Sequence, residues 1–470
     1  MLIFKREVMM RKINQLEELL TGCGLPQLCT QSVSIKGQDP QLDSRFFLGE
    51  SAAAVLAACA RLSAQIWHMK GGSEQDIEVN VTGAAASLVG FFWQKINGEA
   101  APLFDMHNPL IQMYRTADQR WFHLHGYFPK LAEGTLAVLN CEKRKESIEA
   151  AVKGWKAQEL EDALAEAGLC GAFIRSQEEW LNTEQGRILS KTPLFEIIKI
   201  SDGEPIPFTG ACNVNDRPLN AVKVLDVTRV LAGPTCARTL AGFGAKVLKI
   251  TSPELPSVDS FVMDTGHGKR STHLNLDIPE QAQKLRELAA DADVFSQGYR
   301  SGSLSKRGFS AADLTEKHKG LVYVSINCYG HRGPWAGRPG WEQLAQSVTG
   351  IADTQGKDGL PALQPAAACD YISGYLAALG TLAALIRRAV EGGSYEVRVS
   401  LSRSAMWLQE QGLVTTAYTP AVPDIAPYMQ CCESGFGRLD YLGPVVKMSV
   451  TQPRWLQPTF PLGSHPAAWW

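Results

Sequence analysis

An α/β fold is what this sequence predicts, with a Rossmann-like parallel sheet as the large domain and a smaller α+β domain beside it. Two observations lead there. From Val222 onward short apolar runs alternate with helical segments, and the chain contains an internal helix–turn–strand repeat.

The alternation begins with VKVLDVT, a short apolar strand. AGPTCARTLAGFG follows as a helix opened by Pro234 and closed by glycine. KVLKI is a second strand, IPEQAQKLRELAADA a helix with proline in its first turn, and DVFSQG and LVYVSIN are further strands. Strands separated by single helices at this spacing pair in parallel. Residues at their carboxyl ends then line the crevice where such sheets take ligands.

The repeat relates residues 51–88 to residues 373–408. Each copy reads as an apolar helix of small residues, a basic end, a Gly-Gly-Ser turn, an alternating strand and a new helical start. The copies differ at one position of chemical weight. Asp370 stands just before the second helix, and Gly49 holds the corresponding place before the first. A carboxylate acting there is available only in the second copy.

Between the copies, residues 110–200 read as a small α+β unit. YRTADQRWFHLHG forms a hairpin turning at Thr-Ala-Asp, and helical stretches follow around 145–168. The chain thus divides into an N-terminal segment of unassigned role (1–47) and a partial first repeat with the small domain (48–205). A linker rich in Pro, Gly, Asn and Asp (206–220) leads to the large domain with its Asp370 helix and tail (221–470).

A chain of 470 residues has room for two or three domains, and 45% hydrophobic with 20% charged residues is globular composition. The net charge of −2 gives no electrostatic reason to expect nucleic acid or an anionic membrane as partner. Eleven cysteines without a CxxC pair read as reduced thiols in a cytoplasmic protein, Cys431 and Cys432 included. Charges interrupt the apolar start MLIFKREVMMRK, which speaks against a secretory signal. Residues 371–387 approach membrane-spanning length. Their small residues, with Asp370 capping one end and Arg387 and Arg388 at the other, read as a buried helix instead.

Familiar phosphate motifs fail here. Gly242-Phe243-Gly244 sits at a helix end rather than a helix start, and in Gly266-His267-Gly268-Lys269-Arg270-Ser271 the first glycine and the hydroxyl residue of a P-loop are replaced. No G-x-S-x-G elbow is present. His123 and His125 share one strand face, but no third metal ligand stands at a suitable spacing, so no metal is expected.

A stronger signal is a set of separate elements in fixed order. DVTRVLAGP is followed by GKRSTHLNL, ADVFSQGYRSGSLSKRGFS, LVYVSINCYGHRGPWAGRPGWEQLAQ and the segment around Asp370. In these elements residues 222–409 resemble the family III CoA-transferases (CaiB/BaiF type, with formyl-CoA and carnitine CoA-transferases). The tail LGPVVKMSVTQPRWLQPTFPLGSH resembles that family's C-terminal end. Residues 51–200 resemble its second half, so the order of parts here is permuted or partly duplicated.

The resemblance implies a CoA-transferase that exchanges CoA between an acyl-CoA thioester and a free carboxylic acid through an aspartyl-CoA thioester. Asp370 is the implied nucleophile; an N-cap is the alternative reading of an Asp at a helix start. CoA binding is implied for Arg229 and Val230 after the first strand, and for Lys269, Arg270, Arg300 and Lys306 in the basic segments. Arg307 lies in the last of these, and each cation alone also reads as solvated charge. Tyr329 and Gly330 match the loop near the thioester. The family's usual acid after the second strand is Thr251, and a common Asn of the basic loop is Gly298. In the related α-methylacyl-CoA racemases the proton-transfer histidine would fall at Trp341, which disfavours racemase or isomerase action. Glu342 beside it is a candidate acid–base group. A catalytically degenerate CoA-binding member is the remaining alternative. The family likeness also implies a homodimer, interlocked so that small and large domains of different chains meet, with residues 51–200 supplying the closing domain within or between chains.

Overall fold

In the computed structural model the apolar runs from Val222 onward assemble into one seven-stranded sheet. Its strands are β1 (Glu196–Ser201), β2 (Lys223–Val227), β3 (Lys246–Thr251), β4 (Lys269–His273), β5 (Val294–Gln297), β6 (Val322–Asn327) and β7 (Ser394–Ser400). The spatial order is β4-β3-β2-β5-β6-β7-β1. Strands β2 to β7 are parallel, and β1 is an antiparallel edge on β7. Parallel strands covered on both faces need unbroken apolar runs, and Val224, Leu225, Val247, Leu248, Val322 and Val324 are fully buried. The winding reverses between β2 and β5. At such a switch point the flanking loops part and leave a crevice at the carboxyl ends of the strands.

The structure describes residues 2–25, 28, 32–210, 212–414 and 422–470, with side chains from Met10 onward. The boundary at 205 falls behind β1, so a strand assigned by sequence to the small-domain segment belongs to the large sheet. Its pairing partner lies almost two hundred residues away, and local pattern holds no trace of that.

Five helices frame the crevice or support it: α1 (Leu48–Met69), α2 (Ala232–Gly242), α3 (Glu342–Thr349), α4 (Ala368–Glu391) and α5 (Leu401–Glu410). α4 is long and apolar enough to cross a membrane, but its apolar window is wholly buried within the protein. Its small residues explain how. A Cβ on Gly374 would overlap the Ala232 carbonyl oxygen, so glycine is what lets α2 lie against α4. α1, α2 and α4 share one continuous core.

Both repeat copies follow the expected order. α4 leads through Gly392 and Gly393 to β7 and α5; α1 leads through Gly71 and Gly72 to strand Ile77–Asn80 and helix Val81–Ser87. The first-copy strand, however, joins a separate three-stranded sheet. It pairs in parallel with Val33–Lys36 and antiparallel with Val446–Met448 of the tail. The described parts of the N-terminal segment thus acquire a structural role, since helix Leu2–Gly22 also packs on α1 through Leu16, Leu19 and Leu20.

The small domain is built on strands Met113–Arg115, Trp121–Leu124 and Gly171–Phe173, all antiparallel, covered by helices Pro129–Leu139, Lys145–Val152 and Ala157–Glu166. It has its own core around Phe122, Leu124, Ile148, Leu160 and Leu164. Arg175 donates two hydrogen bonds, of 2.8 and 2.6 Å, to the buried carboxylate of Glu161.

Candidate active site

The crevice at the switch point is a cleft of about 250 Å³. Thr228, Arg229 and Val230 enter it from the end of β2, Gly298, Tyr299 and Arg300 from the end of β5, and Asn327 and Cys328 from β6. Phe128, Leu131 and Cys170 of the small domain close it from above, in the same chain. Asp370 lies in its wall.

Asp370 is the third residue of α4, and the N-cap position falls to Ala367, whose side chain caps nothing. The capping reading of Asp370 is corrected accordingly. No described residue donates a hydrogen bond to its carboxyl group. Burial, followed by the charge of Glu342, pushes Asp370 well above the ordinary carboxylate range. Glu342, the first residue of α3, also lines the cleft. It accepts hydrogen bonds from Gln346 Nε2 (2.7 Å) and the Cys369 N–H (3.3 Å), and burial raises it to about 7. Two buried carboxyls thus sit in one wall, and the charge of Glu342 disfavours ionisation of Asp370.

What offsets this negative charge is backbone. The N-termini of α2 (Leu231, Ala232, Gly233), α3 (Trp341, Glu342), α4 (Asp370) and α5 (Leu401) all open into the cleft. Each presents the positive end of a helix, although the Cys369 N–H of α4 is already given to Glu342 and the Ser402 N–H of α5 to the Cys328 carbonyl. Val230, between β2 and α2, has φ of +66°. A β-branched residue there is strained, at a cost of about 1–3 kcal/mol. The strain falls where the chain turns from the end of β2 into the amino end of α2.

Three arginines line the cleft. Arg229 donates to the Pro256 carbonyl and packs its guanidinium 5.0 Å from the centre of the Phe128 ring, joining the two domains. Arg338 stacks over Trp335 at 4.3 Å and pairs with Asp162 at 3.4 Å. Arg300 is exposed, and no described side chain pairs with it. Arg338, Phe128, Leu131 and Cys170 escaped the sequence reading. Only the loop GRPGWEQ carried a signal for any of them, and it drew attention to Trp341 and Glu342.

The remaining residues singled out in the sequence are dispersed. Lys269 is buried, with Nζ donating to Asp226 at 2.8 Å and to the Pro234 carbonyl at 2.7 Å. Arg270 lies outside the cleft, its guanidinium 4.5 Å from the centre of the Trp470 ring. Lys306 is exposed in the turn Ser305–Arg307. The Tyr329 carbonyl accepts from Gln185 Nε2 at 2.7 Å, and Gly330, at φ +96°, is bonded to both ends of the Asn327 amide. Those two residues shape the loop behind the cleft wall. His123 bonds Ser347 at 3.0 Å, and His125 stacks on Trp341 with centroids 4.4 Å apart. Burial lowers both histidines, to about 4 and about 3, so they are neutral packing groups.

The chain is similar to several known proteins. The CoA-transferase family III profile matches residues 22–190 and 219–431. An acyl-CoA transferase of Gibberella moniliformis is 31% identical, over 85% of this chain and 84% of that protein. The acetyl-coenzyme A transferase nodX of Hypoxylon pulicicidum is 31% identical over 80% and 71%. A solved CAIB/BAIF family protein from Brucella suis aligns at 29% identity and TM-score 0.39, covering 47% of this chain and 65% of that one. With both halves matched and a relative of this identity aligned over most of its length, the chain belongs to CoA-transferase family III.

Proposed function

We propose that this enzyme moves CoA between an acyl-CoA thioester and a free carboxylic acid, with Asp370 as the covalent carrier. The observation that supports this most directly is an uncapped, buried carboxyl in a cleft onto which four helix N-termini and three arginines converge. A carboxylate stripped of water is a stronger nucleophile than a hydrated one, and the helix ends stabilise charge wherever it develops.

The sequence of bonds follows. The Asp370 carboxylate attacks the thioester carbonyl and CoA thiolate leaves, giving a mixed anhydride. The thiolate attacks the Asp370 carbonyl, releasing the donor acid as carboxylate and leaving an aspartyl-CoA thioester. An incoming carboxylate attacks that thioester, expels the thiolate and forms a second anhydride. The thiolate then attacks the new acyl carbonyl, which frees the product acyl-CoA and regenerates Asp370. One thioester replaces another, so no energy source is consumed.

Arg229, Val230 and Arg300 line the cleft and Lys306 lies in the turn beyond Arg300, and on this reading they meet the pyrophosphate and pantetheine of CoA. Ten unpaired thiols among the described residues support a reducing compartment, and we place the enzyme in the cytoplasm. The homodimer implied by the family likeness would join two units whose clefts are each closed by their own small domain. Light scattering on the purified chain tests it.

The covalent step is tested by incubating the protein with a panel of acyl-CoAs, quenching with hydroxylamine or borohydride, and mapping the modified residue by mass spectrometry. Modification confined to Asp370 and lost in Asp370→Ala is the expected result. CoA binding without any adduct would refute the carrier role.

A further inference from the structure

Beside the cleft lies a second, smaller chamber, and Phe128, Thr228, Arg229 and Val230 line both. Its walls are apolar, including Val258, Phe261, Phe460 and Leu462. Its polar side is unusual in sign. Arg229, Lys249 and Lys269 line it, and no acid does. Among the described residues the only carboxylate touching either lysine is Asp226, fully buried beneath them, at 3.3 Å from Lys249 Nζ and 2.8 Å from Lys269 Nζ. One negative charge faces two buried ammonium groups.

The donor count is also incomplete. Lys269 spends two N–H bonds on Asp226 and the Pro234 carbonyl; Lys249 spends two on Asp226 and the Thr228 carbonyl. Each ammonium has three donors, so each keeps one. The side chain of Lys249 is 10% exposed and that of Lys269 3%, which gives bulk water little access to them. An excess buried cation with a spare donor is costly unless an anion meets it. Thr251, at the end of β3, and Ser271, in the middle of β4, add hydroxyls to the same wall.

Size limits what can enter. The chamber holds about 50 Å³. One water needs roughly 10–15 Å³ on this scale, so there is room for a few heavy atoms and none for a nucleotide. We propose that this chamber is an anion subsite, taking one carboxylate- or phosphate-type group on a short stem against Lys249 and Lys269. Two sources supply such a group next to Asp370: the distal carboxylate of a dicarboxylic acid, and the 3′-phosphate of CoA. The choice of source rests on the CoA-transfer reading of the cleft; anion binding itself does not.

Calorimetry on the intact chain separates the cases without turnover. Glutarate is compared with pentanoate, and CoA with dephospho-CoA, in the parent, in Thr251→Glu and in Lys249→Met. Thr251→Glu sets a tethered carboxylate in the chamber, and Lys249→Met leaves Asp226 paired with Lys269. A preference of at least tenfold for glutarate, lost in either folded variant, assigns the chamber to the acid substrate. The same loss for CoA over dephospho-CoA assigns it to the nucleotide. Ratios near one for both pairs in the parent overturn the proposal, as does a preference that survives both variants. Ratios near one in the parent overturn the proposal whether or not the variants fold, and the two variants, one at β3's end and one at its lysine, give two independent chances of a folded test. Failure of acyl-CoA to modify Asp370 would reject the transfer reading and leave these ratios unchanged.

Discussion

The two repeat copies make a sharp prediction about Gly49, which occupies in α1 the place that Asp370 occupies in α4. Restoring the acid by Gly49→Asp should not create a second active site; it should damage the fold. A Cβ at Gly49 would stand 2.8 Å from Asp39 Oδ1, 2.8 Å from Val81 Cγ1 and 3.0 Å from the Val81 carbonyl oxygen. The last is backbone and cannot rotate away. Overpacking of this kind costs about 1–3 kcal/mol, the expected penalty for Gly49→Ala. The aspartate adds a buried charge beside two existing carboxyls. Asp39 Oδ2 accepts the Glu50 N–H at 2.8 Å, and Glu50 Oε1 accepts the Asp39 N–H at 3.0 Å. Asp39 is already pushed up to about 7 by burial. A third, unpaired carboxyl adds about 3 kcal/mol or more. Against a typical total stability of about 5–15 kcal/mol, that leaves the variant marginal.

Asp39 explains the asymmetry physically. In the first copy a carboxylate from a preceding loop fills the space at the helix start and satisfies a backbone N–H there. In the second copy the same space is left open to the cleft. Urea denaturation should rank parent above Gly49→Ala above Gly49→Asp, and Asp39→Asn/Gly49→Asp should recover part of the electrostatic loss. Quantitative mass spectrometry after acyl-CoA treatment should find at most one CoA per chain in every case. Parental stability in Gly49→Asp, together with two CoA per chain, would refute this account of the repeat.

Further outcomes follow from other contacts. Glu342→Gln keeps an acceptor for Gln346 and Cys369 but removes a charge that raises Asp370, so the acid limb of the pH–rate profile should move to lower pH. Glu342 is itself raised from 4.5 to about 7, so its stabilising contribution is full below about 4.5 and lost as pH rises through about 7. The Gln variant should therefore gain about 3 kcal/mol relative to the parent between pH 4.5 and pH 8, read from urea curves at both ends. Arg175→Met removes both short hydrogen bonds to the buried Glu161 carboxylate and leaves only the more distant Arg338 to face it; it should cost about 3–5 kcal/mol and expose the small domain to limited proteolysis. Because Glu161 also faces Arg338 at 3.7 Å, KM for acyl-CoA should rise in the same variant before the fold is lost.

The parallel sheet and the carboxyl in the first turn of α4 were legible in the sequence because each is written locally. Apolar runs of strand length, glycines after helices and a carboxylate beside a small-residue helix need no knowledge of distant partners. What was not legible depends on pairing across the chain. Lys269 and Asp226 are 43 positions apart, and nothing in either neighbourhood says that one neutralises the other. The basic segment therefore read as a free cation. Strand Ile77–Asn80 carries the same alternation as β7, yet its partners come from residues 33–36 and 446–448, so it leaves the large sheet. Arg338 carries no local signal, because Asp162 and Trp335, which fix it at the cleft mouth, lie elsewhere in the chain or on another face of its loop.

The order of parts along the chain becomes intelligible on the same terms. A sheet of this topology supplies a crevice but no roof, and a thioester in an open crevice would meet water. Here Phe128, Leu131 and Cys170 arrive before the sheet in sequence and close over it in space. Arg229 fastens the roof from below by packing on Phe128, and Arg338 from the rim by pairing with Asp162. Order along the chain does not matter to such a closure; only the reach of the connection does, and residues 206–220 together with β1 provide it. Placing roof and floor in one chain makes their encounter independent of protein concentration. Specific activity should then be constant on dilution across any range in which chains dissociate from one another. A fall in activity that tracks dissociation would show that a second chain completes the cleft.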